Sequence, residues 1–301
     1  MPSAIEIEKM LISSGAFSEK DPPVLGTSGI PLFYFINTEF LLGDKGEWEK
    51  YSDSSIQMIS HCIEKYTNSQ FKLVIEVLAD LLRQSFNISE IDGISGFQRR
   101  DWPFSGTLAA HLRLPHVSFY KNGEYELLEF DQNNRVQLAP TRDLKGFRFI
   151  NVSDLMTKAS SALNGWLPLS QKLGMKCLGL MNVVTRKQGG EQAMAAENVN
   201  VFSLVSLDEE FLSRNANAPE RAIEYYQSPE QAVKKYLRES GASAFLSYFD
   251  PSPQNSKLNR GLLFFKNYLS STINPDQLAE FENLIQTTYK ASISSLSDEK
   301  H

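Results

Sequence analysis

Apolar residues recur at helical spacing in three segments of the first half of the chain. The pattern over residues 7–14 predicts a short first helix, which Gly15 ends. Residues 56–66 and 74–81 keep the same spacing and predict two more helices, although the second begins with a β-branched run that also suits a strand. The aromatic run over residues 30–38 lies between the first helix and the other two, and it predicts a buried strand.

From residue 90 onward, short apolar runs alternate with helical patterns. The predicted strands are Ile91–Ser95, Val117–Lys121, Phe147–Val152, Cys177–Val184 and Val199–Val205, and the predicted helices are Phe104–Leu112, Lys158–Leu173 and Leu207–Ser213. This order indicates βαβ units, and hence an α/β fold with a mostly parallel sheet whose ligand site lies at the carboxyl ends of the strands. Asn122-Gly123 predicts a β-hairpin with a primed two-residue turn.

Beyond Arg214 the sequence turns to helix-forming and aromatic residues. Ser228-Pro229 and Asn274-Pro275 both have the pattern of a helix start, in which a capping residue precedes a proline. The tail from Ser292 is polar, and we expect it to fray. These patterns predict a helical extension over residues 214–301.

Composition limits the classes of protein to which the chain can belong. Its 301 residues are 42% hydrophobic and 22% charged, which is typical of a soluble globular protein. The net charge of −6 and the isoelectric point near 5.4 argue against a nucleic-acid-binding face. Because no stretch suits a signal peptide or a membrane span, and both cysteines lie in apolar runs, we expect a cytoplasmic protein with reduced thiols.

Three polar loops follow predicted strands. The loop at residues 96–106 contains Arg99 and Arg100, which could hold a phosphate bidentately or could be a solvated pair. The segment at residues 151–162 is rich in hydroxyls and leads into a helix, so it could cradle a phosphate at the helix N-terminus or could only cap that helix. The loop at residues 184–190 is basic and ends in two glycines.

In their order and spacing, the three loops resemble those of the type I phosphoribosyltransferases, and of orotate phosphoribosyltransferase in particular. Val152-Ser-Asp-Leu-Met-Thr-Lys-Ala-Ser-Ser-Ala falls where that family has its loop for phosphoribosyl pyrophosphate (PRPP). Val184-Thr-Arg-Lys-Gln-Gly-Gly is similar to the family's Val-Asp-Arg-x-x-Gly-Gly, whose arginine meets the acceptor base. Gly15-Ala-Phe, with Thr27-Ser-Gly and the aromatic run after it, resembles the N-terminal hood that covers the base. The likeness covers about residues 10–213.

The resemblance implies a fold, a ligand and roles for individual residues. The fold would be a mostly parallel five-stranded sheet flanked by helices, with a hood at about residues 1–50, a core at about 51–213 and the helical extension at 214–301. PRPP would bind with Mg²⁺, held mostly by the pyrophosphate oxygens, and two chains would form a homodimer. The implied catalytic residues are Asp154 and Lys121, and the implied substrate-binding residues are Arg99, Arg100, Asp101, Thr157, Lys158, Ser160, Ser161, Arg186, Ser28 and Tyr34.

The chain departs from the family pattern at charged and glycine positions. Ser153 replaces the first acid of the PRPP loop, which would weaken sugar binding by about 1.5–3 kcal/mol. Ala159 and Ser160 replace glycines, and a side chain would cost about 1–2 kcal/mol wherever the backbone must be left-handed. Glu124 and Glu126 stand where the family has a mobile cationic loop, and acids there would repel pyrophosphate.

Two hypotheses of function follow. The first is an orotate phosphoribosyltransferase-like enzyme that transfers phosphoribose to a pyrimidine-type base and releases pyrophosphate. The second is a catalytically impaired protein that senses PRPP or a nucleotide on the same fold, and a purely structural remnant is a third possibility. The predicted partner is a phosphorylated ribose small molecule, with no nucleic acid and no membrane. No histidine has a cysteine or acidic partner at ligand spacing, so we expect no metal site built from protein side chains.

Overall fold

The structure is a computed structural model, and it describes residues 4–26, 29–43, 48–51, 53–66, 70–140 and 142–298. The chain forms two compact units. The first contains residues 1–16 and 37–208, and the second contains residues 17–36 and 209–301. The second unit therefore joins the predicted helical extension to residues 17–36, which we assigned to the hood.

Strands and helices alternate through the first unit, and helices dominate the second. The strands are β1 (Phe17–Leu25), β2 (Pro31–Ile36), β3 (Gly93–Phe97), β4 (His116–Phe119), β5 (Tyr125–Phe130), β6 (Val136–Leu138), β7 (Arg148–Met156), β8 (Lys176–Thr185) and β9 (Val201–Ser206). The α-helices are α1 (Ala4–Ser13), α2 (Ser55–Tyr66), α3 (Gln70–Ser85), α4 (Asp101–Leu112), α5 (Leu167–Lys172), α6 (Gly190–Ala196), α7 (Glu209–Asn215), α8 (Pro219–Gln227), α9 (Pro229–Ser240), α10 (Leu258–Phe264), α11 (Ser270–Thr272), α12 (Pro275–Tyr289) and α13 (Ile293–Asp298). Short 3₁₀ helices span Thr38–Leu42, Trp48–Tyr51, Ile88–Glu90 and Ser243–Phe249, and π-helical turns span Ala162–Trp166 and Phe265–Leu269.

A seven-stranded sheet forms the centre of the first unit, within the part of the chain that the structure describes, in the order β6-β5-β4-β3-β7-β8-β9. All pairings among β4, β3, β7, β8 and β9 are parallel, so these five strands are the parallel sheet that the alternating pattern predicts. Beyond β4, β5 and β6 extend the sheet in antiparallel fashion. The sheet is thus larger than the predicted five strands, because the hairpin strand and the three-residue β6 join one edge.

The hairpin between β4 and β5 turns through three residues instead of the predicted two. The backbone N–H of Tyr120 donates to the carbonyl of Glu124 at 2.9 Å and closes the turn. Gly123 has a left-handed φ of 86°, whereas Asn122 does not adopt a positive φ. A type I′ turn needs a positive φ at both central residues and a type II′ turn needs one at the first, so the predicted primed turn is wrong although the hairpin is confirmed. Lys121 consequently lies in the turn itself.

Close packing fixes the start of α4 against β3. Gly96 has no room for a side chain, because an added Cβ would lie 2.1 Å from Oγ of Ser105 in α4. At the amino ends of β3 and β7, Arg148 donates from Nε and Nη2 to the carboxylate of Asp92 at 3.0 and 2.9 Å. The two neighbouring strands are therefore held in register at one end, while their other ends carry the loops of the site.

The second unit is built on an antiparallel hairpin of β1 and β2. β2 confirms the predicted aromatic strand, whereas β1 is not evident from the sequence because Asp21-Pro22-Pro23 resembles a turn. The strand pairing is irregular between Glu19 and Val24, and such an interruption can accommodate prolines. Aromatic rings pack the helices onto this hairpin, with 5.0 Å between the ring centroids of Phe33 and Tyr225.

The helices of the second unit follow the predicted starts. Asn274 and Gln277 form the expected capping box at α12. Ser228 precedes α9, but its side chain makes no capping hydrogen bond. In the described part of the tail, Ile293–Asp298 form the short helix α13, where the sequence pattern predicts fraying. Of the helices among the described residues, none combines the length and the apolar character that crossing a membrane requires.

Candidate functional site

A cavity of about 420 Å³ opens at the carboxyl ends of β3 and β7 in the first unit. This is where ligands bind in parallel α/β sheets. The walls come from the β3–α4 loop, the hairpin turn, the end of β7 and the segment that follows β7. Predicted site residues that line the cavity are Arg99, Arg100, Asp101, Lys121, Asp154, Thr157, Ser160 and Ser161.

Cationic side chains occupy the side of the cavity formed by the β3–α4 loop and the hairpin turn. Arg99, Arg100 and Lys121 all line it, and the peptide bond between Gln98 and Arg99 is cis. The backbone N–H of Lys121 donates to Oε1 of Gln98 at 3.0 Å, so the hairpin turn is tied to the β3–α4 loop. Arginine and lysine together can hold a pyrophosphate-sized anion by charge-assisted hydrogen bonds.

Asp101 begins α4, and this residue is buried, at 8% exposure. One carboxylate oxygen accepts the backbone N–H of Phe97 at 3.1 Å, and the other accepts that of Asp154 at 3.0 Å. Burial, followed by the nearby charge of Asp154, raises the pKa of Asp101 well above its ordinary value. Since both oxygens bind the protein's own amides, Asp101 ties together two walls of the cavity.

Asp154, which the resemblance implies as a catalytic residue, is also buried, at 7% exposure. Burial raises its pKa, whereas the hydrogen bond from the Thr38 hydroxyl and the charge of Arg100 lower it. The Thr38 hydroxyl donates to Oδ2 of Asp154 at 2.7 Å. Asp101 and Asp154 therefore form a buried carboxyl pair, in which the proximity of like charges favours retention of a proton.

The 3₁₀ helix Thr38–Leu42 supplies two contacts that the sequence did not suggest. Beside the Thr38 bond, Oε1 of Glu39 lies 3.0 Å from Nε of Arg100. Asn37 caps the helix by accepting the N–H of Glu39, and its amide donates to Oε2 of the same side chain at 3.2 Å. The sequence does contain a signal for the start of this helix, because Asn37 ends the aromatic run and asparagine is favoured at the N-cap.

The segment after β7 is shorter than predicted. β7 continues to Met156, so Ser153 and Asp154 lie in the strand and only Thr157, Lys158 and Ala159 separate it from the following helical turn. Ala159 has a left-handed φ of 57°, the conformation for which glycine is preferred. Ser160 and Ser161 are exposed and line the cavity. Lys158 is also exposed, but it is not among the described residues that line the cavity.

Hydroxyl and amide groups form a chain across three neighbouring strands. Ser153, which stands at the position of the family's first acid, donates to Oδ1 of Asn182 at 2.6 Å. The amide nitrogen of Asn182 in turn donates to Oγ of Ser203 at 3.3 Å. Ser153 lines the cavity and so presents a neutral hydroxyl there.

The two acids of the hairpin do not reach the cavity, in contrast to the repulsion expected from the sequence. Tyr120 and Ser55 both donate their hydroxyls to Oε2 of Glu126 at 2.6 Å. Glu124 accepts the side-chain amide of Asn122 at 2.7 Å within the turn. Neither acid is among the described residues that line the cavity.

The three residues predicted to bind the base are not gathered at this cavity. Arg186 donates its backbone N–H to the carbonyl of Met156 at 2.9 Å, and it is not one of the described lining residues. Tyr34 belongs to the second unit, where its buried ring lies 5.4 Å from that of Tyr225. Ser28 lies outside the described residues. Among the described residues, no three His, Cys, Asp or Glu side chains are grouped so that they could hold a metal ion.

Comparisons with known proteins identify the fold. No protein-family model matches the chain, and no curated protein matches it. Among solved structures, UMP synthase from Leishmania donovani matches with a TM-score of 0.51 at 16% identity, over 76% of this chain and 43% of that one. Orotate phosphoribosyltransferase from Aeropyrum pernix matches with a TM-score of 0.47 at 18% identity, over 69% and 98% of the two chains. The enzyme of the same name from Mycobacterium tuberculosis H37Rv, in complex with PRPP, matches with a TM-score of 0.44 at 16% identity, over 68% and 97%.

The match to the UMP synthase confirms the predicted fold class. The chain has a divergent form of the type I phosphoribosyltransferase fold, and it spans less than half of the length of that UMP synthase. At 16% identity the likeness concerns the fold alone. Function therefore has to be argued from the cavity.

Proposed function

We propose that the first unit binds a phosphorylated ribose compound, of which PRPP is the prototype, and transfers its phosphoribosyl group to a pyrimidine-type base. The observation that supports this most is the meeting of three cations, Arg99, Arg100 and Lys121, with Asp154 and a hydroxyl-bearing segment around one cavity of about 420 Å³. A pyrophosphate needs the cations, a ribose needs the acid, and a 5′-phosphate needs the hydroxyls and amides. The base class rests on the resemblance of residues 184–190 to the family's acceptor motif.

The proposed transfer uses each group of residues for one part of the ligand. The bond between C1 of the ribose and the pyrophosphate oxygen breaks, and its electron pair leaves with pyrophosphate, whose charge Arg99, Arg100 and Lys121 stabilise. A ring nitrogen of the base forms the new bond to C1, and the proton of that nitrogen passes to an oxygen of the released pyrophosphate or to water. Asp154 accepts hydrogen bonds from the sugar hydroxyls, while Thr157 and the serines after it hold the 5′-phosphate. Mg²⁺ would accompany the pyrophosphate, whose oxygens would hold it, and it would supply further positive charge to the leaving group.

A second candidate function is binding without transfer, as in a sensor of PRPP or of a nucleotide. The observation that favours it is the neutral Ser153, which stands where the family has an acid. Its hydroxyl proton is directed to Asn182. A single acid at the sugar gives less stabilisation to the positive charge that develops on the ribose in the transition state. Turnover separates the two candidates.

Calorimetric titration of the full chain with PRPP and Mg²⁺ tests binding. We expect saturable binding that Arg100→Ala weakens by about 10- to 150-fold, because a hydrogen bond to a charged group is worth about 1.5–3 kcal/mol. Lys172→Ala is the matched control, since this exposed cation of α5 is not a lining residue of the cavity and its loss should leave the affinity unchanged. The proposal fails if millimolar PRPP gives neither heat nor a thermal shift.

Pyrophosphate release tests transfer. PRPP is incubated with the full chain and with orotate, uracil or a purine base in turn. Turnover with a pyrimidine that is lost in Asp154→Asn supports the enzyme. Tight binding with no turnover across the bases supports the sensor and rejects the enzyme.

The proposal includes a homodimer, as the family resemblance implies. Light scattering of the full chain should give twice its mass of 34.0 kDa. A monomer at the concentration of the binding experiment would argue against a site shared between two chains.

A further inference from the structure

Two carboxyl groups stand side by side in the wall of the cavity, and their surroundings differ. Asp101 accepts two backbone N–H groups, one from Phe97 and one from Asp154. Asp154 accepts the hydroxyl of Thr38 and lies near the charge of Arg100. Both acids are buried, so the cost of two neighbouring negative charges is high and the pair is expected to hold one proton between them.

The position of that proton matters for the proposed ligand. A carboxylate accepts hydrogen bonds from sugar hydroxyls, whereas a protonated carboxyl has less capacity to accept them. The charged groups around the pair are Arg100 from the β3–α4 loop and Glu39 from the 3₁₀ helix, with Arg99 and Lys121 on the same cavity. The two backbone N–H groups favour a charge on Asp101, whereas the hydroxyl of Thr38 and the charge of Arg100 favour one on Asp154. Burial raises the pKa of Asp101 well above its ordinary value, so the proton falls to Asp101, and Thr38 is the neutral donor that holds the charge on Asp154.

We propose that Thr38 is a positioning residue, whose hydrogen bond to Asp154 keeps the single negative charge of the carboxyl pair on Asp154 and leaves the proton on Asp101. The proposal deepens the proposed function, on which its ligand-binding consequence rests. Thr38 acts through Asp154 at a distance of 2.7 Å, and it is not itself among the described residues that line the cavity. Asp154 lies at the end of β7, next to residues 157–161, which we propose to hold the 5′-phosphate. With the negative charge on Asp154, this residue is the acid that meets the sugar.

The direct test is the titration of the aspartate carboxyl carbons by NMR in the ligand-free full chain labelled with ¹³C-aspartate. The signals of the pair are assigned by their absence in Asp101→Asn and Asp154→Asn. In the unmodified protein, Asp154 should ionise at lower pH than Asp101. Thr38→Val should raise the midpoint of the Asp154 signal by about 1 to 2 pH units, as expected for loss of a hydrogen bond to the charged form.

Two further variants separate the effect of the Thr38 hydroxyl from the effect of side-chain packing. Thr38→Ser keeps the hydroxyl and should restore the original midpoint. Thr107→Val is the matched control, because Thr107 is an equally buried threonine of α4, and it should leave both midpoints unchanged. An unchanged Asp154 midpoint in Thr38→Val, or the same rise in Thr38→Ser, overturns the proposal.

The pH dependence of PRPP affinity gives the second readout. In Thr38→Val, the loss of affinity on acidification should begin about 1 to 2 pH units higher than in the unmodified protein. If PRPP does not bind at all, the proposed function fails while the NMR titration still decides the position of the proton. If PRPP binds and its pH profile does not move although the NMR midpoint does, the ligand-binding part of the proposal is rejected.

Discussion

The backbone N–H of Asp154 donates a hydrogen bond of 3.0 Å to the carboxylate of Asp101, 53 residues earlier in the chain. The second oxygen of this carboxylate accepts the N–H of Phe97, the last residue of β3 before the β3–α4 loop. One buried side chain thus sets the spacing between the cationic wall and the wall that carries Asp154. We predicted Asp101 as a substrate ligand, and its contacts favour a role in holding these two walls.

Replacement of Asp101 should affect stability according to how many acceptors remain. Asp101→Leu leaves two buried N–H groups without an acceptor and should lower the free energy of unfolding by roughly 2–5 kcal/mol. Asp101→Asn keeps one oxygen and resembles the protonated acid, so the loss should be about 1 kcal/mol. Urea unfolding of both variants measures the difference, and equal losses would contradict the double-acceptor role.

Glu39 should orient Arg100 toward an anion. Glu39 is buried and held by Asn37, so its carboxylate is a fixed partner for Nε of Arg100. Glu39→Ala should weaken pyrophosphate binding by about threefold to tenfold, because the guanidinium loses its orientation. Glu39→Gln keeps an oxygen for Nε and should retain most of the affinity. Tighter binding in Glu39→Ala would show instead that Glu39 competes with the ligand, and calorimetry with pyrophosphate distinguishes the two.

Ala159 should be a site of local strain. Its φ of 57° costs a residue with a Cβ roughly 1–2 kcal/mol of stability. Glycine avoids this cost, but its greater conformational freedom in the unfolded chain cancels part of the gain. Ala159→Gly should therefore raise the unfolding temperature by about 2 °C. Ala195→Gly, at an exposed position in the helix α6, should lower it. A decrease in both variants would contradict the strain.

His116 should make the fold sensitive to acid. Its ring is buried between the hydroxyls of Ser105 and Ser118, and burial lowers its pKa to about 3. Below pH 6.5 the unfolded chain binds a proton that the folded chain does not, so stability falls as the pH drops from 6.5 toward 3. This effect amounts to about 2 kcal/mol between pH 7 and pH 5.

The test is the free energy of unfolding as a function of pH in His116→Gln. The variant should be less stable at pH 7 because its packing changes, but it should lose about 2 kcal/mol less on going to pH 5. His111→Gln, at the exposed end of α4, is the control and should flatten the profile less. The raised pKa of Asp101 acts in the opposite direction, since its contribution to stability is present at low pH and is lost as the pH rises through that pKa. Parallel profiles for His116→Gln and the unmodified chain would refute the prediction.

The parallel strands could be predicted because each contains a short, mostly apolar run, as β7 shows with residues 149–152 all buried. Elements whose residues are not apolar escaped prediction. β1 contains Asp21-Pro22-Pro23, and β6 is only three residues long at the edge of the sheet, with Leu138 exposed. The sequence pattern predicts the end of β7 too early, because hydroxyl and acidic residues there are typical of a loop, whereas the strand continues to Met156.

The site could be predicted where neighbouring strand ends carry polar loops. Arg99, Arg100, Lys121 and Asp154 meet at one cavity because parallel strands end at the same edge. Thr38 could not be identified in this way, since it lies 116 residues before Asp154 and meets it only through tertiary packing. For Arg186 the prediction fails in the other direction. Its motif is similar to the family's, but Arg186 is not among the described residues that line the cavity.

The bond between the backbone of Lys121 and the side chain of Gln98 joins the hairpin turn to the β3–α4 loop before any ligand arrives. The conformational entropy of both segments is thus lost during folding and does not oppose association. Capture of a phosphorylated ligand should then be limited by diffusion and by long-range attraction to the cations, so that its rate falls steeply as salt is added. Such a site favours rapid exchange with a changing pool of ligand over adaptation to ligands of different shape.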